Sequence, residues 1–550
     1  MSPLVTRPLP PATELRAERL ALASAPAPRL GEFGWREPLL VFALTYAVFA
    51  AIGSVLTLHH EIVLGDAEAR LQHAFYIWAN DPGKLAAIGF YWPPIQTLVL
   101  VPLAAIKPLA TSLLALPLTS AAFGAATVVV LDRALVVAGV ERALRWGLLA
   151  AFALNPMILF YSANGMAEIV YLFFLTVALY LFLRWTVEPR WQDLVLCGAA
   201  FGLAVLARYE AGFWLPLVVV GVLAVLVQRR AAIPQLEASF VALVVPAIYG
   251  LLLWSYVTWT ITGDALGWLT ILVPKTPEEN PVVAAAAPQT VDLLAEVFKV
   301  HATLYPPTFV LAAILFAVAY RRRSVAAAVF GAAVLVNLLS EVAILLRSAN
   351  TVYLELRYNM RAMPVAVLAI AFLLVSLPPA RRRLAGLAAL ALLVAAIPAS
   401  AATMLTSPWV GQDRLFMRSL LYGETGSIEH QRTMARYIRE HVPGRSVVMT
   451  DDAQTFGIQL VDGSPTRYLD RIDVGDERWA AIRDRIFTRG EPVAGVRYVL
   501  VRRDPLLPDL IANAYPSLRT TEGFPDFLRL EFANPNYALY RIVGARRSGR

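Results

Sequence analysis

Cysteine is almost missing from this chain of 550 residues. Cys197 is the only one, and it lies in an apolar segment. An intrachain disulfide is therefore impossible, and a cysteine-based zinc site is excluded. Charge is scarce as well, with Asp, Glu, Lys and Arg making up 16% of the residues. The sequence carries no internal repeat and no nucleotide-binding glycine-rich loop, so ATP-driven transport and soluble nucleotide-sugar chemistry find no support in it. What fills the chain is apolar: 58% of residues are hydrophobic and the mean hydropathy is +0.60. Soluble domains are about half apolar at most, so this composition reads as an integral membrane protein. The net charge of +8 and pI near 9.5 do not point to nucleic acid. The arginines stand in short clusters between apolar runs, which is the pattern of cytoplasmic loops.

Residues 1–37 are rich in Pro, Ala and Arg without apolar periodicity, and read as a disordered cytoplasmic tail. A spanning helix needs about 20 mostly apolar residues. Runs at 38–58, 112–131, 146–162, 168–186, 193–208, 212–228, 238–262, 304–320, 324–346, 361–377 and 384–405 meet or approach this, giving about eleven spans. The clusters Arg133/Arg142/Arg145, Arg184/Arg190, Arg229/Arg230, Arg321–Arg323 and Arg381–Arg383 fall in alternate loops and are expected inside. One apolar segment breaks the alternation if it crosses: "WPPIQTLVLVPLAAIKPLA", Trp92–Ala110. Its prolines bracket about 13 helical residues, roughly 20 Å of helix, too short for a core of about 30 Å. It is expected to be interfacial or re-entrant on the outer side, inside one long outer loop of residues 59–110. After Leu405 charges become frequent. "IEHQRTMARYIREH" reads as an amphipathic helix, and "SVVMTDD", "VRYVLVRR" and "YALYRIV" read as strands. The expected architecture is thus an α-helical polytopic membrane protein: a tail at 1–37, a membrane domain at 38–405 and a small extracytoplasmic α/β domain at 406–550.

With this topology the unusual polar residues gather on the outer side. Asp66, Glu68 and Arg70 follow the first span, "YSANGMAE" supplies Asn164 and Glu168, and "LARYEAGFW" supplies Arg208, Tyr209 and Glu210. Lys299, His301 and Tyr305 end the next long loop. "LLRSANTVYLELRYNMRAMP" supplies Arg347, Glu355, Arg357, Tyr358 and Arg361, and Glu341 lies in the outer half of its helix. Taken singly, each has a bland reading: Asp66 and Arg70 as a solvated i,i+4 pair, Glu168 and Glu210 as helix-end markers, Arg208 and Arg361 as snorkelling anchors, Glu341 as a partner of Arg347. Jointly they make a polar site at membrane depth, where charged groups face a cavity or water. Arginine grips a phosphate bidentately, and a carboxylate can act as general base on a hydroxyl. Asp66 and Glu68 are two residues apart, so they diverge on a helix and share a face on extended chain.

The order of these stretches resembles the GT-C membrane glycosyltransferases, the polyprenyl-phosphate-sugar transferases that include protein mannosyltransferases and lipid A aminoarabinose transferases. A first span leads to the acidic "GDAEAR", "WPP" opens the next helix, and "NPMILFYSANGMAE", "GLAVLARYEAGFW" and "RYNMRAMP" follow in the family's order before a soluble domain. The resemblance implies inverting transfer of a sugar from a polyprenyl-phosphate donor, loaded in the cytoplasm and flipped outward, to an acceptor hydroxyl at the outer face of the plasma membrane. It places the family's acidic residue on Asp66, which would deprotonate or orient the acceptor hydroxyl, with Glu68 as its companion. Where members carry Lys before the Pro-Pro pair this chain has Trp92, which shifts donor-phosphate binding to Arg208, Arg357, Tyr358 and Arg361, supported by Arg70, Glu168, Glu210 and His301. Some members use a divalent metal, and Glu68, Glu168 and His301 are the residues able to ligate one here. The competing reading is a transporter or flippase, whose sites tend to lie near the midplane on broken helices in paired repeats.

Overall fold

In hydrocarbon every backbone N–H and C=O must find its partner within the protein, so the apolar runs fold as helices. A computed structural model of the chain describes residues 35–89, 92–270, 290–348, 354–409, 411–504 and 509–544. The expected tail lies outside the described residues up to residue 34, and the first helix, Arg36–Leu58, begins just beyond it. Each expected span is helical. Among the described residues eight helices are long and apolar enough to cross a membrane, or nine if the pair Asp292–Leu304 and Pro307–Arg322, bent by 91°, counts as one span.

The departures from the expected spans have local causes. The run at 146–162 is broken into Arg142–Ala153 and Pro156–Tyr161. Pro156 has no N–H to give a continuing helix, and the Asn155 side chain accepts from the Met157 N–H at 3.1 Å to start a new one. The sharp bend before Pro307 falls at the Pro306-Pro307 pair, and Trp191–Ala207 has only 17 residues.

Chain direction sorts the charges to two ends. At one end Glu37 meets Arg142 and Arg145, Arg145 meets Asp132 at 2.6 Å, and Arg383 meets Glu141. Arg229 donates to the Thr186 carbonyl and Arg322 to the Ser376 carbonyl at the same end. All five arginine clusters are therefore together, as the alternation requires. The residues expected in outer loops and the C-terminal sheet occupy the other end. The 92–110 segment stays at that second end. It forms the short helices Ile95–Ala104 and Lys107–Thr111; Gln96 donates to the Gly165 carbonyl, and Lys107 packs against Gly463 of the C-terminal part.

The C-terminal part holds a five-stranded sheet in the order β2-β1-β3-β5-β4. The strands are β1 Val447–Thr450, β2 Tyr468–Leu469, β3 Val496–Arg502, β4 Leu528–Ala533 and β5 Tyr537–Ile542. β2, β1 and β3 are parallel, whereas β3, β5 and β4 are antiparallel. The amphipathic helix is Glu429–His441, whose Met434, Ala435 and Ile438 are buried against the sheet. This α/β unit sits on the helix Gly65–Ala79. Tyr76 donates to Asp470 at 2.8 Å and Asn80 to Asp473 at 3.0 Å, the Gln72 and Gln459 amides pair, and Arg432 meets Glu61 at 2.7 Å. The helix that carries Asp66 is thus held from outside the bundle as well as within it.

Candidate active site at one end of the helical bundle

Asp66 stands in the first turn of Gly65–Ala79, where the helix dipole favours a carboxylate. The helical backbone settles the question of the two acids: at about 100° per residue their side chains diverge. Asp66 turns to the bundle. Arg357 Nη1 lies 3.2 Å from its Oδ2, and its side chain keeps 42% exposure. Arg70 reaches back one turn to donate to the Asp66 backbone carbonyl at 3.1 Å, with its guanidinium 5.0 Å above the Trp92 ring. Burial alone would raise the Asp66 pKa, but the charges of Arg70, Arg357 and Arg208 outweigh it and hold the carboxyl below its ordinary value.

Glu68 points the other way and is buried beneath the C-terminal α/β unit, where Gln431 Nε2 donates to it at 3.1 Å. Burial pushes its carboxyl up to about 7, against the opposing pull of the Gln431 amide and the Arg502 charge. A carboxyl whose pKa is raised by folding favours the folded state at low pH, and that contribution is lost as pH rises through 7. Glu68→Gln is therefore expected to stabilise the protein at pH 8 relative to wild type by on the order of 1–3 kcal/mol, and to leave it unchanged at pH 4. Thermal unfolding of both proteins at the two pH values measures this. A Glu68→Gln protein less stable than wild type at pH 8 would overturn the upward shift of Glu68 and the penalty that burial places on its ionised form.

The remaining residues converge on a tyrosine. Gly165, at φ +81°, makes a turn in which its N–H donates to Ser120 Oγ at 2.9 Å, and Asn164 accepts from the Met166 N–H. That turn starts the helix Ala167–Val187 and sets Glu168 in its first turn. Arg208, just past the end of Trp191–Ala207, bridges Glu168 at 2.6 Å and Glu210 at 2.9 Å. Arg357 also meets Glu355 at 2.7 Å, with Glu168 4.0 Å away. The guanidiniums of Arg208, Arg357 and Arg361 lie 5.0, 5.2 and 6.0 Å from the Tyr358 ring centroid. Cation–π attraction to one ring thus helps hold three like charges close together.

Two candidates are placed deeper. Arg361 donates to the Tyr358 carbonyl at 2.7 Å and meets the buried Glu341 at 3.5 Å. Asn337 bridges Glu341 (2.9 Å) and His301 (3.1 Å), and His301 lies 3.7 Å from Glu341. This inner cluster fixes the loop of Arg357 and Tyr358 from behind. Glu341 therefore pairs with Arg361; the side chain of Arg347, its expected partner, lies outside the described residues. Glu68, Glu168 and His301 are held in three separate networks. Among the described residues no group of three His, Cys, Asp or Glu side chains is arranged to hold a metal ion.

The sequence reading missed Tyr161 and Asp413. Tyr161 donates to the Asp413 carboxylate at 3.0 Å. Burial raises the Asp413 pKa to about 6, opposed by that hydrogen bond and by the nearby Arg357 charge. Asp413 follows the last span inside "GQDRLF", with no spacing that would single it out.

No family model and no curated protein sequence matches the chain. Solved structures do. The crystal structure of ArnT from Cupriavidus metallidurans bound to undecaprenyl phosphate aligns at a TM-score of 0.53 and 12% identity, covering 92% of this chain and 99% of that one. The same protein in the apo state aligns at 0.48 and 13%, covering 92% and 99%. The archaeal oligosaccharyltransferase AglB from Archaeoglobus fulgidus, in complex with an inhibitory peptide and a dolichol-phosphate, aligns at 0.46 and 13%, covering 86% and 70%. A match at 0.53 that spans nearly both chains speaks to the arrangement of helices and terminal domain together, and on it the chain has the GT-C fold.

Proposed function

We propose that the protein is an inverting glycosyltransferase that moves a sugar from a polyprenyl-phosphate donor to an acceptor hydroxyl, at the membrane face that carries the C-terminal α/β domain. The observation that carries this reading is the meeting of one partly exposed carboxylate, Asp66, with the guanidiniums of Arg357 and Arg208 at the end of the bundle. A lipid phosphate is bound in the ArnT structure of the same fold. In this chain Arg208 and Arg357 would take such a phosphate, with Tyr358 between them and Arg361 holding the loop. Asp66 would accept the proton of the acceptor hydroxyl. The hydroxyl oxygen then forms the new bond at the anomeric carbon as the bond to the phosphate oxygen breaks on the opposite side. The electron pair leaves with the phosphate, whose growing charge the two arginines stabilise. General-base help contributes typically 10²–10⁴-fold, and preorganised charge usually more.

Two measurements test this. The first is release of free polyprenyl phosphate from polyprenyl-phosphate sugars by the purified protein in proteoliposomes, with the anomeric configuration of the product read by NMR. Movement of the intact lipid across the bilayer without release would favour a flippase instead. The second concerns orientation. After Cys197→Ser, a cysteine at the exposed Ser427 is expected to react with an impermeant maleimide on intact cells. Labelling only after lysis would place the site inside.

A further inference from the structure

The end of the bundle opposite the candidate site has a cavity of about 350 Å³ that the proposed reaction does not use. It is a groove between the helices Pro307–Arg322, Ala362–Val375 and Pro379–Thr406, walled by Ile314, Val318, Leu373, Ala388 and Leu392. Ile314 and the adjoining Val310 are each 44% exposed, so the groove opens sideways to hydrocarbon rather than into the bundle. Its wall is apolar except at one end, where Arg322 and Ser376 stand. One amino group of Arg322 donates to the Ser376 carbonyl at 2.7 Å, which fixes the guanidinium at the mouth.

The surroundings of that mouth are basic. Arg321–Arg323 close one wall and Arg381–Arg383 begin another. Among the described residues the only carboxylate that an ion pair joins to these six is Glu141, 3.5 Å from Arg383. Arg382 is spent on the Leu377 carbonyl at 2.9 Å. Arg321 and Arg381 have no carboxylate partner among the described residues. An apolar slot that opens to lipid and ends in uncompensated arginines matches one occupant, an amphiphile with an anionic head. Basic pockets between membrane helices take anionic lipid head groups on these grounds.

We propose that this groove binds an anionic phospholipid of the adjacent leaflet, with one acyl chain along Ile314, Val318 and Leu392 and the phosphate on Arg322, flanked by Arg321 and Arg381. The inference depends on the fold and the arginine clusters, and not on the transferase reading. If arginines here served only to orient the chain in the membrane, they would bind no particular lipid.

Native mass spectrometry of the full-length protein in detergent, with phosphatidylglycerol or phosphatidylcholine of identical chains, decides it. Phosphatidylglycerol is expected to be retained in preference to phosphatidylcholine. Arg322→Gln is expected to lower its retention roughly fivefold, the effect of about 1 kcal/mol per basic side chain at an anionic surface. Ala388→Phe, which fills the groove from an exposed position, is expected to abolish it. Should Arg322→Gln loosen the helix ends, the double variant Arg321→Gln/Arg381→Gln makes the same test without touching the Ser376 contact. Equal retention of the two lipids, or phosphatidylglycerol retention unchanged in Ala388→Phe, overturns the proposal.

Discussion

Asp66→Asn should lower sugar transfer by roughly 10²–10⁴-fold, the range over which a general base usually acts, while binding of a polyprenyl-phosphate donor changes little. The substitution keeps the shape of the side chain and its place at the head of Gly65–Ala79. It removes only the charge and the lone pair that takes the proton. Among the described residues Asp66 makes one ion pair, and it is partly exposed, so its loss does not strand a buried partner: Arg357 keeps Glu355 at 2.7 Å. The pH profile gives a second reading. Arg70, Arg357 and Arg208 overcome the effect of burial and hold the carboxyl below its ordinary value. The base is therefore ionised down to the lower end of the carboxylate range, and the acid limb of the wild-type rate should fall below about pH 4. A limb near pH 6 or 7 would point instead to Asp413 or Glu68, whose carboxyls burial raises to about 6 and about 7. Near wild-type turnover in Asp66→Asn would remove this residue from the chemistry.

How the site came to be legible follows from what each residue needs. The helices were readable because hydrocarbon leaves the chain few alternatives, and the arginine clusters fixed which loops lie together. That "GDAEAR", "RYEAG" and "RYNMR" meet at one end was therefore predictable from alternation alone. What each side chain does inside the cluster was not. Glu68 looks like the twin of Asp66 in sequence, yet it is buried and accepts a hydrogen bond from Gln431, a partner more than 350 residues later in the chain. Arg361 looks like a phosphate ligand, yet Glu341 and the Tyr358 carbonyl bind it from behind. Two of the five strands were missed: β2 is only two residues long, and β4 alternates charges with apolar residues in "LRLEFA". In each case the deciding contact is long-range, and local pattern carries no record of it.

Arg357→Ala is expected to weaken binding of a polyprenyl-phosphate analogue by about 1.5–3 kcal/mol, the usual range for a hydrogen bond to a charged group, which is roughly 10- to 150-fold. Arg208 is the poorer residue to test, because it is paired with Glu168 and Glu210 at 2.6 and 2.9 Å. Removing it leaves the buried Glu168 without its closest cation, and breaking a buried pair in this way costs about 3–5 kcal/mol of stability. Lost binding there could simply report lost folding. Arg357 pairs most closely with Glu355 and Asp66, which are 40% and 42% exposed and can turn to water, while the buried Glu168 lies farther away at 4.0 Å. The same residue also acts on the proposed base, since its charge is one of three that keep Asp66 ionised. Arg357→Ala should therefore do two separable things: weaken donor binding, and move the acid limb of the rate profile upward. Arg357→Lys separates them. Lysine keeps the charge but not the planar fork, so it should restore the position of the acid limb while leaving most of the binding loss in place. If lysine restored both, the phosphate would need only a point charge at this position. If Arg357→Ala bound the analogue as wild type does, the donor phosphate would belong elsewhere and Arg357 would be an electrostatic partner of Asp66 alone.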